Sequence, residues 1–250
     1  MDILYVIGRG SNWNNNELRY SLRSLEKFGR NIGRVFIAGY CPDFIDKSVV
    51  TFIPCEDSYE AKHKNILRCI EKAVAVSDIA DDFLLSSDDH FYVRETDFDK
   101  YPIFRKGMLP SFVAPDDAHY EYTQSLVSTS MVLKAAGMTV HNFSWHGNTH
   151  FNKTLFREPQ FEAMCHLSFA MQGGCEPSCL MLNYMLAKRP FDWVQRHDRK
   201  YGDDTTEAEF VKGLGERECF SCSEYVMRTY CATYLQQTFP HKSKYELSDR

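Results

Sequence analysis

The sequence predicts an α/β fold, in which a mostly parallel sheet carries helices on both faces and a helical extension follows at the C-terminus. Short apolar runs rich in β-branched and aromatic residues alternate with longer segments whose apolar residues recur at helical spacing. This alternation fills roughly the first ninety residues and ends in a pair of adjacent aspartates. Strands and helices that alternate in this way are typical of a parallel sheet covered on both faces.

The first strand and the first helix are predicted between Asp2 and Gly29. The apolar run Asp2 to Ile7 reads as a strand, and it ends in a tight loop that contains Gly8, Gly10 and Ser11. Two glycines allow backbone amides to approach a diphosphate closely, although their spacing is not a known dinucleotide or P-loop fingerprint. The following helix is capped by Asn14 or Asn15 and ends at Gly29, and its apolar face consists of Leu18, Leu22 and Leu25.

Polar groups stand in the first half of two predicted helices, and those of the first helix lie beside this loop. On the first helix, Arg19 or Arg23 could bind a phosphate with two hydrogen bonds, or each could be an ordinary surface arginine. After the strands "RVFIAGY" and "SVVTFIP", a second helix is predicted from Ser58 to about Val76. Its first half contains Lys62, Lys64 and Asn65. Cations at a helix N-terminus oppose the helix dipole, which indicates that one of them meets an anion.

The segment "DDFLLSSDDHFYV", residues 81–93, is the strongest local indication of a functional site. A buried strand, Phe83 to Ser87, leads directly to Asp88, Asp89 and His90. Ligands of open α/β sheets bind outside the carboxyl ends of the strands, where carboxylates can hold a phosphate-bound Mg²⁺ or Mn²⁺. The alternative is that the two aspartates only open a turn.

The C-terminal half is less regular. An irregular stretch with three prolines precedes a helix predicted from Gln124 to Ala136, and a further helix is expected from Glu176 to Leu186. Between them, "VHNFSWHGNTHFNK" places three histidines in a strand-and-loop context, namely His141, His146 and His150. The segment "RHDRKYGDDTTEAEF" reads as solvated, and Glu224 to Gln237 reads as an amphipathic terminal helix.

Composition restricts the class of protein. The chain has 250 residues, 44% of them hydrophobic and 25% charged, which predicts one soluble globular domain with a sizeable core. The net charge of -5 argues against binding to nucleic acid or anionic membranes through bulk electrostatics. The sequence shows neither a membrane span nor a signal peptide, so the expected location is cytoplasmic.

Nine cysteines, an odd number, predict reduced thiols packed between helices. A structural zinc site is the alternative. The spacings of Cys175 with Cys179 and of Cys219 with Cys222 resemble the two halves of a four-cysteine site, although the first spacing is looser than usual.

Several of these segments together resemble the stealth family, the capsule-polysaccharide hexose-1-phosphate transferases related to the lysosomal GlcNAc-1-phosphotransferase. The resemblance rests on "DILYVIGRGS", on the arginine helix "NELRYSLRSLEKF", on "FLLSSDDHFYV" and on "FSWHGNTHFNKTLF". The closing segment from Cys219 is similar to that of small stealth-like proteins of bacterial and bacteriophage genomes. The resemblance is discontinuous, and it is strong only in residues 16–28 and 81–93.

The resemblance implies a GT-A-like fold, a nucleotide-sugar donor such as a UDP-sugar, and a divalent metal at the acids. Residues 1–95 would form the nucleotide-sugar-binding half, and residues 96–250 the acceptor half with the C-terminal helices. Asp88 and Asp89 would hold Mg²⁺ or Mn²⁺ on the diphosphate, and Asp89 would thereby take part in catalysis. His146 or His90 would orient or deprotonate the acceptor hydroxyl. Nucleotide and phosphates would be held by Gly8, Gly10, Ser11, Arg19, Lys62 and Asn65.

The reaction itself stays open at this point. Gly147 and Asn148 follow His146 where the family commonly has a proline, which bears on the phosphotransfer chemistry more than on the donor site. The chain is therefore expected to transfer either a sugar or a sugar 1-phosphate to an unknown hydroxyl acceptor, such as a glycan. Two alternatives are a bacteriophage-type enzyme that glycosylates hydroxymethylpyrimidine bases in DNA, and a non-catalytic nucleotide-sugar-binding or interaction module.

Overall fold

The computed structural model describes residues 1–114, 116–117, 119–196 and 200–248. The strands are β1 Asp2–Ile7, β2 Gly29–Arg30, β3 Val35–Gly39, β4 Val50–Pro54, β5 Asp82–Ser86, β6 Phe91–Tyr92, β7 Thr96–Asp97, β8 Phe104–Arg105, β9 Gly107–Met108, β10 His141–Asn142, β11 Thr149–Asn152, β12 Val194–Gln195 and β13 Cys219–Phe220. The helices are α1 Asn16–Phe28, α2 Lys62–Val76, α3 Tyr120–Ala135, α4 Lys153–Phe156, α5 Pro159–Ala170, α6 Pro177–Lys188, α7 Glu207–Leu214, α8 Glu224–Val226 and α9 Ala232–Thr238. A 3-10 turn spans Phe98–Lys100, and a π-helical turn spans Met227–Cys231.

The central sheet has the strand order β11-β5-β1-β3-β4. β1 runs parallel to both β3 and β5, and β3 runs parallel to β4, whereas β11 pairs antiparallel with β5. The prediction of a mostly parallel sheet is confirmed. Because β1, β3, β4 and β5 all point the same way, the loops that follow them meet at one edge of the sheet, which we call the carboxyl edge.

Alternate residues of the strands fill two separate cores, as the pleat of a strand requires. Leu4 of β1 packs in a cluster with residues of α2, α3, α5 and α6, whereas Ile3 and Tyr5 pack with Leu18 and Leu22 of α1. Helices therefore cover both faces of the sheet, as predicted. Complete burial of one leucine side chain contributes about 1.5–3 kcal/mol, so the amphipathic face of α1 is sufficient to hold it on the sheet.

The C-terminal extension forms a third core beside the end of β5. Strand β13 pairs antiparallel with β6, so that Phe220 lies opposite Phe91. Phe220 packs with Phe210 and Tyr201 in a cluster with residues of α8 and α9. The extension is helical, as predicted, but the single helix expected from Glu224 to Gln237 is interrupted at Thr229, whose φ of -108° and ψ of -121° are not helical.

The last described residues fold back over the sheet. The backbone N–H of Asp46 donates to the carbonyl of Tyr245 at 2.9 Å, and the N–H of Leu247 donates to the carbonyl of Phe44 at 2.8 Å. Between them, the side chain of Glu246 is buried and receives two hydrogen bonds from Arg23. The tail thus fastens α1 to the loop that follows β3.

Three further predictions of boundaries or elements were wrong. Helix α2 begins at Lys62 rather than Ser58, because the Asn65 side chain accepts the N–H groups of Ser58 and Tyr59 and holds that stretch as a turn. Helix α3 begins at Tyr120 rather than Gln124. The segment interpreted as solvated ends in α7, which a capping box between Thr206 and Glu209 starts and whose Phe210 is buried; residues 197–199 of that segment lie outside the described ranges.

The cysteines do not form the alternative zinc site. All nine are free thiols. Cys175 and Cys179 pack in the core with α6, whereas Cys222 packs in the C-terminal core, in agreement with thiols that fill space between helices. In the part of the chain that the structure describes, no helix combines the length and the apolar character needed to cross a membrane.

Candidate functional site

The candidate site lies at the carboxyl edge, where the loops after β1, β4 and β5 converge. Asp88 and Asp89 follow β5 directly and are partly buried. Asp88 interacts electrostatically with Glu17, near the start of α1, and with Lys62, the first residue of α2. The acids predicted from the sequence therefore stand where three separate chain segments meet.

Of the two acids, Asp88 has the surroundings that are less favourable to a charged carboxylate. Burial and then the charge of Asp89 raise the pKa of Asp88 to about 7, with Glu17 adding to the rise and Lys62 opposing it. Tyr5 lies nearby in the core, and burial raises the pKa of its hydroxyl to about 12. The surroundings of Asp88 therefore disfavour its charged form, and the carboxyl holds its proton up to about pH 7.

Asp89, in contrast, is held by several partners. Ser221 Oγ donates to Asp89 Oδ2 at 2.6 Å, and Lys200 Nζ lies 4.0 Å from the same oxygen. His90 Nε2 lies 3.9 Å from Asp89 Oδ1. Burial alone would raise the pKa of Asp89, but His90, Lys200, the Ser221 hydrogen bond and His146 together lower it. Asp89 is therefore ionised and fixed in orientation.

The two histidines predicted as catalytic occupy different environments. His90 is 3% exposed, and its Nδ1 faces the N–H of Ser87 at 3.4 Å, which leaves Nε2 to carry the proton on the side of Asp89. It lies beneath the site rather than at its surface. His146 lies in the loop before β11, and it is close enough to Asp89 to lower the pKa of that carboxyl. The structure brings both histidines to the acids, and their catalytic roles stay predictions.

The loop Gly8–Ser11 follows β1 at the same edge. Ser11 Oγ donates to Glu17 Oε2 at 2.8 Å and accepts the N–H of Asn15 at 2.7 Å, so its hydroxyl organises the turn into α1. A side chain at Gly10 would meet nothing within 4 Å, whereas one at Gly8 would lie 3.7 Å from Asp57. The backbone at Gly10 is therefore open to a ligand.

The other predicted phosphate ligands are placed unevenly. Lys62 lies at the acids, as described above. Asn65 instead uses its amide in the turn before α2, where its Nδ2 also donates to the Tyr59 carbonyl at 2.7 Å. Arg19 stacks on Phe44 at 4.2 Å and lies 3.4 Å from Glu246, and its Nε has no hydrogen-bond partner among the described residues. Binding of phosphate by Asn65 and Arg19 stays a prediction.

The phosphate-binding alternative for Arg23 was wrong. Arg23 Nε donates to Glu246 Oε1 at 2.7 Å, Nη2 donates to Oε2 at 2.8 Å, and Nη1 donates to the Phe239 carbonyl at 2.9 Å. With these donors satisfied and the side chain buried, Arg23 is a structural residue. Its partner lies 223 positions away, at a distance that no local sequence pattern encodes.

Sequence reasoning also missed two residues of the site, Lys200 and Ser221. Both belong to the C-terminal extension, and Lys200 stands in a charged segment that predicts only solvation. Their proximity depends on the pairing of Tyr201 with Cys222, a long-range contact. The one available signal was the Thr206–Glu209 capping box, which indicates that this segment is structured.

The pair of acids fits part of a metal site. Among the described residues, no group of three or more histidine, cysteine, aspartate or glutamate side chains is placed to hold a metal ion. Two carboxylates can nevertheless bind Mg²⁺ or Mn²⁺ when substrate phosphates and water supply the remaining ligands. A cation at this position would stabilise the charged form of Asp88, which burial and Asp89 disfavour in its absence.

Comparison with solved structures finds a glycosyltransferase fold. Galactosyltransferase LgtC in complex with donor and acceptor sugar analogs, and an active-site mutant of LgtC, each align with a TM-score of 0.51 at 12% sequence identity. Each alignment covers 98% of this chain and 98% of the LgtC chain. The fold is therefore GT-A-like, as expected. At this identity the likeness is one of fold alone.

Comparisons of the sequence with family models and with curated proteins identify no relative. No protein-family model matches the chain, and no curated protein matches it. Membership in the stealth-like family is thus unsupported by these comparisons and stays a prediction from the sequence.

Proposed function

We propose that this chain is a metal-dependent glycosyltransferase that uses a nucleotide-sugar donor. The observation that carries the proposal is the position of Asp88 and Asp89 at the carboxyl end of β5, a central strand of a GT-A-like sheet. The LgtC structure with donor and acceptor sugar analogs supports the same class of substrate. We assign donor binding to residues 1–95 and acceptor binding to residues 96–250.

In this proposal Asp88 and Asp89 hold Mg²⁺ or Mn²⁺, which would stabilise the charge of the leaving nucleotide diphosphate. The opposite states of the two acids suit this task. Asp89 is oriented in advance by Ser221, whereas Asp88 would lose its proton and gain a counter-ion when the metal binds. Lys62 lies beside Asp88 and would bind a phosphate oxygen. The exposed backbone around Gly10 would approach the nucleotide.

His146 is the proposed group for orienting or deprotonating the acceptor hydroxyl. Its closeness to Asp89 would stabilise the imidazolium that forms when it takes a proton. His90 is too deeply buried to meet an acceptor directly, so we assign it to holding Asp89.

The test of donor binding is a thermal-shift panel of UDP- and other nucleotide sugars, with and without Mn²⁺. A ligand that binds the native state raises the melting temperature, by an amount equivalent to about 2.7 kcal/mol at a hundredfold excess over Kd. Asp88→Asn should abolish the shift, and Asp192→Asn, at an exposed aspartate, should leave it unchanged. If no nucleotide sugar shifts the wild-type protein with Mn²⁺ present, the donor assignment is wrong and a non-catalytic module is favoured.

Product analysis then identifies the reaction. Release of nucleoside diphosphate indicates glycosyl transfer, whereas release of nucleoside monophosphate with phosphate retained on the acceptor indicates sugar-1-phosphate transfer. Hydroxymethylated DNA and glycans serve as the two acceptor classes. Removal of metal with a chelator should reduce turnover to background, and activity that survives chelation would contradict the metal dependence.

A further inference from the structure

We propose that Lys200 is a built-in counter-ion of the site. It neutralises Asp89 before ligands bind, and it then passes to the donor diphosphate when a divalent metal takes its place at the acids. This inference rests on the proposed function and adds a residue that the sequence did not indicate.

The backbone around Lys200 is built to reach Asp89. The N–H of Tyr201 donates to the Ser221 carbonyl at 3.0 Å, and the N–H of Ser223 donates to the Tyr201 carbonyl at 2.7 Å. This parallel bridge pairs Tyr201 with Cys222. The residues immediately before each of them, Lys200 and Ser221, therefore stand side by side, and both contact the same oxygen, Asp89 Oδ2.

The backbone next to Lys200 is held by the buried Tyr201, while the Lys200 side chain itself is partly exposed. Tyr201 is 4% exposed, and its ring packs against Phe210 at 4.9 Å and Phe220 at 5.8 Å. The Lys200 side chain is 38% exposed, and its 4.0 Å distance to Asp89 is longer than a direct hydrogen bond. A lysine of this kind can exchange one anion for another without a change in the backbone.

Electrostatic repulsion and attraction explain why the Lys200 ammonium group would move from Asp89 to a diphosphate. Each acid of the pair has a lysine beside it, Lys62 at Asp88 and Lys200 at Asp89. A divalent cation at the acids would repel both ammonium groups, and a diphosphate bound to that cation would attract them. Lysine then binds phosphate as a mobile point charge, which suits a ligand that must leave after the reaction.

Opposite shifts in two affinities test this role. Lys200→Met should bind Mn²⁺ alone about 3- to 10-fold more tightly, because the competing cation is gone, with free Mn²⁺ measured by electron paramagnetic resonance. The same variant should bind UDP, in saturating Mn²⁺, about 5-fold more weakly by calorimetry. A variant that was merely misfolded would lose both affinities. Lys200→Arg, which keeps the charge, should stay close to wild type in both.

Lys212→Met is the matched control, since Lys212 is an exposed lysine on α7 of the same extension. It should leave both affinities unchanged. If wild type binds Mn²⁺ and UDP and Lys200→Met binds them equally well, the role of Lys200 is overturned and the proposed function stands. If wild type binds neither Mn²⁺ nor any nucleotide, both proposals fall together.

Discussion

Ser221 Oγ donates a 2.6 Å hydrogen bond to Asp89 Oδ2, which joins two residues 132 positions apart in the sequence. Ser221 is 1% exposed and the Asp89 side chain is 23% exposed, so the bond is partly buried. It fixes one acid of the candidate site to the C-terminal extension, next to the strand pairing of Phe91 with Phe220. The extension therefore stabilises the site as well as its own core.

We expect Ser221→Ala to destabilise the fold by about 1.5–3 kcal/mol, because it removes a hydrogen bond to a charged, partly buried carboxylate. Urea denaturation at pH 7 measures this loss. Since the pKa of Asp89 is lowered in the folded state, the stability that Asp89 contributes is present at neutral pH and disappears as the pH falls through that pKa. The difference between wild type and Ser221→Ala should therefore shrink on acidification.

Ser48→Ala is the matched control, because Ser48 Oγ donates to Asp46 at 2.7 Å in an exposed position. We expect a change within about 0.5 kcal/mol there. Equal losses in the two variants would show that the Ser221–Asp89 bond has no special importance.

Asp88 should make the protein less stable as the pH rises. Its pKa is about 7 in the folded state against 3.8 for the ordinary group, so between these values the folded state holds a proton that the unfolded chain has lost. Unfolding then releases a proton, and the free energy of unfolding falls with increasing pH across this window. Asp88→Asn should flatten this dependence and raise stability at pH 7, while it abolishes the proposed metal binding.

Chemical denaturation at intervals from pH 4 to pH 8 checks this expectation. Asp192→Asn, at an exposed aspartate, should keep the wild-type slope. A pH dependence that is the same in Asp88→Asn and wild type would show that Asp88 ionises normally.

Much of the fold was predictable because its signals are local. The strand Asp2–Ile7 and the helix that ends before Gly29 follow from apolar periodicity and from the residues that end each element, and both are observed. The position of Asp88 after a buried strand follows from the same reasoning. Parallel strands bring such residues to one edge, so the general location of the site was also predictable.

The partners within the site were not predictable, because they depend on contacts between distant segments. Ser221 reaches Asp89 through the pairing of β13 with β6, and Lys200 reaches it through the bridge between Tyr201 and Cys222. Helix α2 starts later than predicted because the Asn65 side chain holds the preceding turn. This role competes with the phosphate binding predicted for Asn65. Propensity and spacing describe single elements, whereas these contacts are decided by tertiary packing.

The ion pair between Arg23 and Glu246 should be essential for stability. Glu246 Oε1 accepts both from Arg23 Nε at 2.7 Å and from the Ser243 N–H at 2.9 Å, and its side chain is 1% exposed. We expect Glu246→Ala to cost about 3–5 kcal/mol, since it leaves a buried guanidinium without its carboxylate. Urea denaturation measures the loss.

A double-mutant cycle with Arg23→Met isolates the pair. The double variant should be more stable than the sum of the two single losses predicts, because it leaves no buried charge unpaired. Glu95→Ala, which removes an exposed partner of Arg30, should change stability by about 1 kcal/mol or less. Strictly additive losses in the cycle would contradict a direct interaction between Arg23 and Glu246.

His63 should stay neutral well below the usual pKa of histidine. Burial lowers its pKa from 6.5 to about 4, and the neighbouring Lys62 charge acts in the same direction. Between these values the unfolded chain binds a proton that the folded chain does not, so His63 contributes a loss of stability as the pH falls from about 6.5 towards 4.

Imidazole resonances followed by NMR should show one histidine that does not titrate above pH 5. His63→Leu should make the protein less sensitive to acid, whereas His241→Gln, at an exposed histidine, should not. Titration of His63 near 6.5 would show instead that water reaches this ring and that burial does not hold it neutral.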